Sequence, residues 1–431
     1  MDIYLMAHEA SAWEKFYEDY ASNEHAYKVD IKNLRKYIDD KEYLNVLADY
    51  ELNRVFPIPK LIMLNKKGTG KKRAVFSFDD NVSWLLKFFG CYLHEYDDIF
   101  SDSLYSFRRE RSVKTAVAKL LKQKDLHLKY GIKLDIHDYF NSADTELIIK
   151  KLREVLIGQE KLVRLFEDIL RDPGYTETEY NESECIETEY TGIESDDTSN
   201  GYKADAKNVK IHKGMMAGSP LSPFLANLYL DELDKHFDDT DCFYARYSDD
   251  IILFVDSREK LDEELKYING FLEDHGLTLN PDKLMYISPG EGFEFLGFSF
   301  TDGKVDVAKA SFEKIKKKLR RKARAVERWK KKRQAEPLKA ARVYIKYFNK
   351  KFFENPVKSE LTWCRWYFPI ITTDVTLKEI DHYMQECIRF LYTGKHTKRN
   401  YDLRYEDIKK LGYRSLLNEY HKGVKNENSV S

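Results

Sequence analysis

Apolar residues in the first 55 positions recur at helical spacing among charged ones, as at Leu34, Tyr37, Ile38, Leu44 and Leu47, which predicts an N-terminal helical segment. Pro57 and Pro59 end that pattern. The stretch KLIMLNKKGTGKKRAVFSF (60–78) reads as a β-hairpin: an apolar strand, a Gly/Lys turn at 66–70, and a returning strand through Val75 and Phe76. Residues 82–125 read as helices carrying YSFRRERS, and YGIKLDIHDYF then gives a short apolar strand ending near Ile136. Helices are expected from there to about Leu170. GMMAGSPLSPFLANLYLDELDKHF is a Gly/Pro/Ser turn leading into one amphipathic helix, with Pro223 tolerated in its first turn. DCFYARYSDDIILFVDS reads as two apolar strands around a polar turn at Ser248, Asp249 and Asp250. A helix over 258–275, strands at 284–287 and 294–300, and a helical remainder from about 309 complete the pattern.

A length of 431 residues favours two or three subdomains, and 42% hydrophobic with 14% aromatic residues is enough apolar surface for a folded core. Five scattered cysteines with no C-x-x-C spacing argue against a disulfide framework and a structural zinc site, and favour a reducing cytoplasm. The N-terminus has no signal-peptide pattern and no apolar run approaches the ~18 residues of a membrane span, so no membrane association is expected. The net charge of -1 hides two opposed segments. Residues 175–206 hold ten acidic residues and one basic, whereas 309–333 hold fourteen basic and two acidic. The acidic tract, about 174–206, is expected to be a solvated insertion, and the basic one is suited to following a phosphate backbone.

The sharpest chemical feature is YSDD, 247–250, because adjacent carboxylates at the tip of an apolar hairpin repel each other unless a cation neutralises them. An ordinary solvated turn is the plain alternative. Asp135 ends the apolar strand before it, where a strand terminus can present a carboxylate to a neighbouring hairpin. Three carboxylates from two adjacent strands could bind two Mg2+ ions, one activating a 3′-hydroxyl and one supporting leaving pyrophosphate. Asp138, three residues later, is better placed as a helix cap.

In order along the chain, KLDIHDYFNSAD, GMMAGSPLSPFLANLYLDELD, RYSDDIILF, GLTLNPDK and FEFLGFSF resemble the palm motifs of bacterial reverse transcriptases related to group II intron enzymes. RAVFSFDD and YSFRRERS resemble their finger motifs, so the likeness covers roughly residues 55–300. It implies an α+β right-hand polymerase: an N-terminal helical segment (1–55), fingers and palm (56–305), a basic helical thumb (306–350) and a helical C-terminal domain (351–431). It implies a metal site at Asp135, Ile136, Asp249 and Asp250 holding Mg2+ or Mn2+, with Asp135 and Asp249 the principal ligands. Lys72 and Arg73 would grip the triphosphate, a solvated basic turn being the alternative. Phe140 would pack on the sugar and exclude a 2′-hydroxyl, or serve only as a core aromatic. Lys283 would protonate pyrophosphate, or be an ordinary loop lysine. Gly297 would hold the primer end, and Lys316, Arg320 and Arg324 of the basic helix would contact nucleic acid.

One departure stands out: Ala217 precedes Gly218 and Ser219 where this family usually has Gln, removing a side chain expected near the incoming nucleotide. The implied reaction is addition of dNTPs to a 3′-hydroxyl on an RNA template, yielding a DNA product. The Ala217 site and helical C-terminus are most similar to defence-associated, Abi-like reverse transcriptases, which points to antiviral synthesis on a companion noncoding RNA. An intron- or retron-associated enzyme, template-independent or protein-primed synthesis, and a noncatalytic RNA-binding scaffold remain open. The run 363–368 (WCRWYF) and TGKHTKRNY (393–401) could add RNA contacts by stacking and charge, with burial the expected role for most of the first.

Overall fold

The computed structural model describes residues 2–23, 26–65, 72–171, 214–354, 363–395 and 402–428. Its contacts form two compact units, the first from Met1–Ser22, Val29–Ser112 and Leu134–Met285, the second from Asn23–Lys28, Val113–Lys133 and Tyr286–Ser431. The expected α+β character holds: helices surround small antiparallel sheets. Among the described residues no helix is long and apolar enough to cross a membrane.

In the first unit, the predicted N-terminal helices form at Ala10–Ser22, Lys28–Asp39 and Glu42–Asn53. Their apolar stripes close on Trp13, which stacks on Tyr43 (4.8 Å) and on Phe88 (4.4 Å) of the Asp80–Tyr92 helix. Its indole nitrogen donates to the Ala7 carbonyl at 2.9 Å, so the buried ring leaves no polar atom unsatisfied. Strands β1 (Lys60–Asn65) and β2 (Lys72–Ser77) form the predicted hairpin, Leu61 opposite Phe76 and Leu64 opposite Arg73. Its basic tip and the acidic insertion lie outside the described residues.

Strands β3 (Tyr130–Asp135), β4 (Phe243–Tyr247) and β5 (Asp250–Val255) lie in one sheet in the order β4–β5–β3. Tyr247 pairs with Asp250, so the hairpin turns on two residues, Ser248 and Asp249, and Asp250 already belongs to β5. That is tighter than the expected three-residue turn, and Ser248 accommodates it at φ +61°. Behind the hairpin the expected single helix is two, Ser222–Tyr229 and Asp231–Asp238, parted at Leu230. Asp234, in the second of them, meets the guanidinium of Arg246; both side chains are 0% exposed. Arg246 also donates to the carbonyls of Ser248 (3.2 Å) and Asn227 (3.3 Å), and the Tyr244 hydroxyl donates to Asp234 (2.8 Å).

YSFRRERS is not helical, against expectation. Its chain runs as an irregular segment beside β4: the Tyr105 amide donates to the Arg246 carbonyl at 2.9 Å, and Phe107 turns at φ +54°. Those bonds across to β4 replace the i to i−4 bonds a helix would have made.

After β6 (Met285–Ile287) the second unit forms the meander β7 (Phe293–Phe295), β8 (Phe298–Thr301) and β9 (Lys304–Val307): the single strand expected at 294–300 is two, turning at Leu296 and Gly297, and β9 was not expected. The helical remainder comprises chiefly Lys309–Arg333, Pro337–Phe353 and Val375–Thr393, followed by Leu416–Asn428. Buried Asp381 accepts from the Tyr413 and Ser415 hydroxyls (both 2.6 Å) and from the amides of Leu416 (2.9 Å) and Leu417 (3.0 Å), tying the start of the last helix down. Of the run 363–368 only Cys364 and Tyr367 are buried, while Trp363, tilted against Tyr367 at 4.5 Å, Trp366 and Phe368 are half-buried and Arg365 is exposed, so burial takes less of it than expected.

Asp234→Ala leaves the Arg246 guanidinium buried without its carboxylate and is expected to cost about 3–5 kcal/mol in a denaturant titration. Gly218, at φ +98°, has no room for a Cβ, which would sit 2.9 Å from the Phe76 carbonyl oxygen. Gly218→Ala is accordingly expected to lower stability by about 1–3 kcal/mol in the same measurement.

Candidate active site

Asp135 closes an apolar strand, and its position is fixed from both sides by backbone bonds. The amide of Ile136 donates to the Asp249 carbonyl at 3.3 Å, while the Asp135 carbonyl accepts from the amide of Asn280 at 2.8 Å. The end of β3 therefore lies against the β4–β5 turn on one flank and the 278–280 segment on the other. Asp135 and Ile136 are thus set beside Asp249, Lys283 reaches the Asp135 carboxylate, and Asp250 follows as the first residue of β5. The Asp135 carboxylate is 4% exposed and receives Lys283 Nζ at 2.5 Å and Asn280 Nδ2 at 3.3 Å. Asp249 and Asp250 are half-buried.

Ser106 supports the turn from behind: its hydroxyl accepts the Ser248 amide at 2.9 Å and donates to Asn227 at 3.3 Å. Nearby phenols remain neutral, burial pushing the hydroxyls of Tyr139 and Tyr247 well up and up respectively. Asp138 occupies the first position before the Tyr139–Ser142 helix, but its side chain accepts from Asn141 Nδ2 (2.9 Å) and makes no cap bond, correcting the expected role.

Among the described residues no group of three or more acidic, His or Cys side chains is drawn tightly enough to hold a metal ion. The donor set nevertheless fits a hard divalent cation in kind. It is made of carboxylate oxygens on hydrogen-bonded strand ends, and a cation, the Lys283 ammonium, already rests on the most buried of them.

Phe140 is half-exposed, not a core aromatic, and its carbonyl accepts the Met215 amide at 2.8 Å. Ala217 is buried, and its carbonyl accepts the Phe76 amide of β2 at 2.7 Å. Gly218 lets the loop approach that close. The side chains of Lys72 and Arg73 lie outside the described residues. Gly297 (φ +87°) turns between β7 and β8 and, with Lys316, Arg320 and Arg324, belongs to the second unit. Sequence reasoning missed Asn280, Ser106 and the Asp234–Arg246 pair. All of them stand inside quoted motifs, Asn280 in LNPDK, Ser106 in YSFRRERS, Asp234 at the end of GMMAGSPLSPFLANLYLDELD and Arg246 at the start of RYSDDIILF, but nothing local pairs them with their distant partners.

A family model for reverse transcriptase (RNA-dependent DNA polymerase) matches residues 64–300. The retron Ec86 reverse transcriptase of Escherichia coli is 26% identical over 106 residues, 24% of this chain and 33% of that enzyme, so the match spans a third of the relative's length. Among solved structures, telomerase from Candida albicans with a telomeric RNA fragment aligns at TM-score 0.39 and 13% identity, covering 87% of this chain and 68% of that one. Apo telomerase from Candida tropicalis aligns at TM-score 0.42 and 12% identity, covering 87% and 73%. With more than half of its length matched by the family model, the chain belongs to the reverse transcriptase family, whose fold class is the right-hand polymerase.

Proposed function

We propose that this chain is an RNA-directed DNA polymerase that adds dNTPs to a 3′-hydroxyl at the strand-end carboxylates. The observation that carries this reading is the Ile136 to Asp249 backbone bond, because it sets the two strand ends bearing Asp135 and Asp249 side by side. Asp135, Asp249 and Asp250, with Ile136 beside them, are the residues that would hold Mg2+ or Mn2+. When bound, such ions supply Lewis-acid activation of the hydroxyl and charge neutralisation at the phosphates.

The protein's own groups do the rest. Lys283 rests on Asp135 and carries a transferable proton beside that carboxylate, which suits it to protonate pyrophosphate. Phe140, half-exposed beside Gly214, offers its ring to a sugar. Ala217 uses its backbone to hold the β2 strand that leads from Lys72 and Arg73, so the loop keeps its position without the usual glutamine amide. Gly297, Lys316, Arg320 and Arg324 serve the primer and template strands.

We further propose that the template is a companion noncoding RNA and the setting antiviral defence, on the likeness of the Ala217 motif and the helical C-terminus to defence-associated enzymes. A retron association is the second reading, favoured by the match to the Escherichia coli retron enzyme. Sequencing nucleic acid copurified with the active protein tests the first reading, and a retron RNA gene beside the coding sequence is what the second predicts.

Asp249→Ala is expected to lower DNA synthesis on a primed RNA template about a thousandfold, the several kcal/mol that a divalent cation supplies, and chelation should do the same reversibly. Full synthesis by the variant would end the polymerase reading. Phe140→Ala is expected to raise ribonucleotide incorporation relative to deoxynucleotide by roughly tenfold or more in competition assays.

A further inference from the structure

Residues 278–280 lie along the end of β3 as extended backbone. The His137 amide donates to the Thr278 carbonyl and the Asn280 amide to the Asp135 carbonyl, both at 2.8 Å, with Ile136 bridged to Leu279 between them. Pro281 then opens a single helical turn, Pro281–Lys283, a position its fixed φ suits, and the Lys283 amide closes the turn on the Asn280 carbonyl at 3.1 Å. Asn280 thus joins a pinned extended stretch to a turn. The side chains on either side of that turn arrive on one group: Asn280 Nδ2 lies 3.3 Å from Oδ2 of Asp135, and Lys283 Nζ lies 2.5 Å from Oδ1. An asparagine just before a helical turn ordinarily points its side-chain oxygen at the amides two or three residues ahead. Among the described residues Asn280 makes no such bond. Its amide serves instead the Asp135 carboxylate, which when ionised can only accept. Aspartate caps helices as well as asparagine does, but it has no donor and would set a second negative charge against a buried one. Asp135, and not the turn, accounts for the choice of an amide here.

We propose that Asn280 is a positioning residue of the polymerase site, fixing the plane of the Asp135 carboxylate and with it the oxygen that faces Lys283. The terminal torsion of an aspartate is broad, so the strand backbone by itself leaves that plane free. Lys283 does not fix it either, because an ammonium is a point charge on a flexible stem and this one is half-exposed. A planar amide on the opposite oxygen, carried by backbone already bonded to Asp135, does fix it. One side chain therefore sets both the principal cation ligand and the proton donor beside it. The inference rests on the roles given above to Asp135 and Lys283, and adds a residue that acts through them. Removing a hydrogen-bond partner that orients a metal ligand typically costs roughly 10–100-fold in metal affinity or activity.

The test uses the full-length protein with Asn280→Ala and Asn280→Leu, the second keeping the bulk of the side chain without its donor. Both retain the backbone bond to Asp135. Calorimetric titration of Mn2+ is expected to show affinity weakened about tenfold or more in each. Primer extension at saturating Mn2+ is expected to show kcat lowered roughly 10–100-fold with the KM for dNTP within about twofold. The thermal midpoint should stay within about 2 °C of the parent, as loss of one part-buried hydrogen bond requires. The proposal is overturned if both variants keep parental Mn2+ affinity and kcat, or if their losses come only with a larger fall in the midpoint, the mark of a merely structural role. Asp135→Asn separates this from failure of the polymerase reading. Loss of Mn2+ binding in that variant but not in the Asn280 variants removes the role of Asn280 alone, whereas unchanged binding by Asp135→Asn removes the site itself.

Discussion

The guanidinium of Arg246 is taken wholly out of water, and the centre of the first unit is arranged around keeping it satisfied. Its charge is met by Asp234, on the second of the two short helices that flank Leu230. Its remaining donors hold the carbonyls of Ser248 and Asn227, and its backbone amide and carbonyl bond Ser103 and Tyr105. One buried cation thus ties together the helix pair, the irregular finger-motif segment and the tight turn that bears Asp249. A buried ion pair is weak as a source of stability but costly to break on one side, which makes it a device for fixing one arrangement over others.

From that anchor the site follows by short steps. The hairpin turn is held at Ser248, so the Asp249 carbonyl is in place to accept the Ile136 amide, and Asp135 arrives at its end of β3 in register. On the far flank Asn280 bonds Asp135 through both backbone and side chain, and Lys283, three residues later, neutralises the carboxylate. A half-exposed lysine thus neutralises the charge of a buried acid. The Ala217 loop adds a second close approach, in which Gly218 permits contact with β2 that no larger residue would allow.

Much of this was readable in the chain because it depends on local rules. Alternating and helical periodicity located the N-terminal helices, both hairpins and the basic helix, and acidic residues at a strand end and a hairpin tip marked Asp135 and Asp249. What escaped depends on partners far away in sequence. Arg246 reads as one polar residue in a strand, and only the fold brings Asp234 to it. YSFRRERS has helical composition, yet the open edge of β4 claims its backbone bonds. A polar Ser248-Asp249-Asp250 run suggests a three-residue turn, whereas the backbone of Asp250 pairs with Tyr247 and belongs to β5. Asn280 carries no charge to mark it beside Lys283, and only the fold brings it to Asp135.

The central claim is that the adjoining ends of β3 and the β4–β5 turn form a cation site. Its most direct measurement is calorimetric titration of Mn2+ into the intact, metal-free protein and into its Asp135→Asn and Asp249→Ala variants. Binding by the unmutated chain that is lost in both variants, each with an unchanged thermal midpoint, is the predicted result. Equal binding by all three proteins would contradict it.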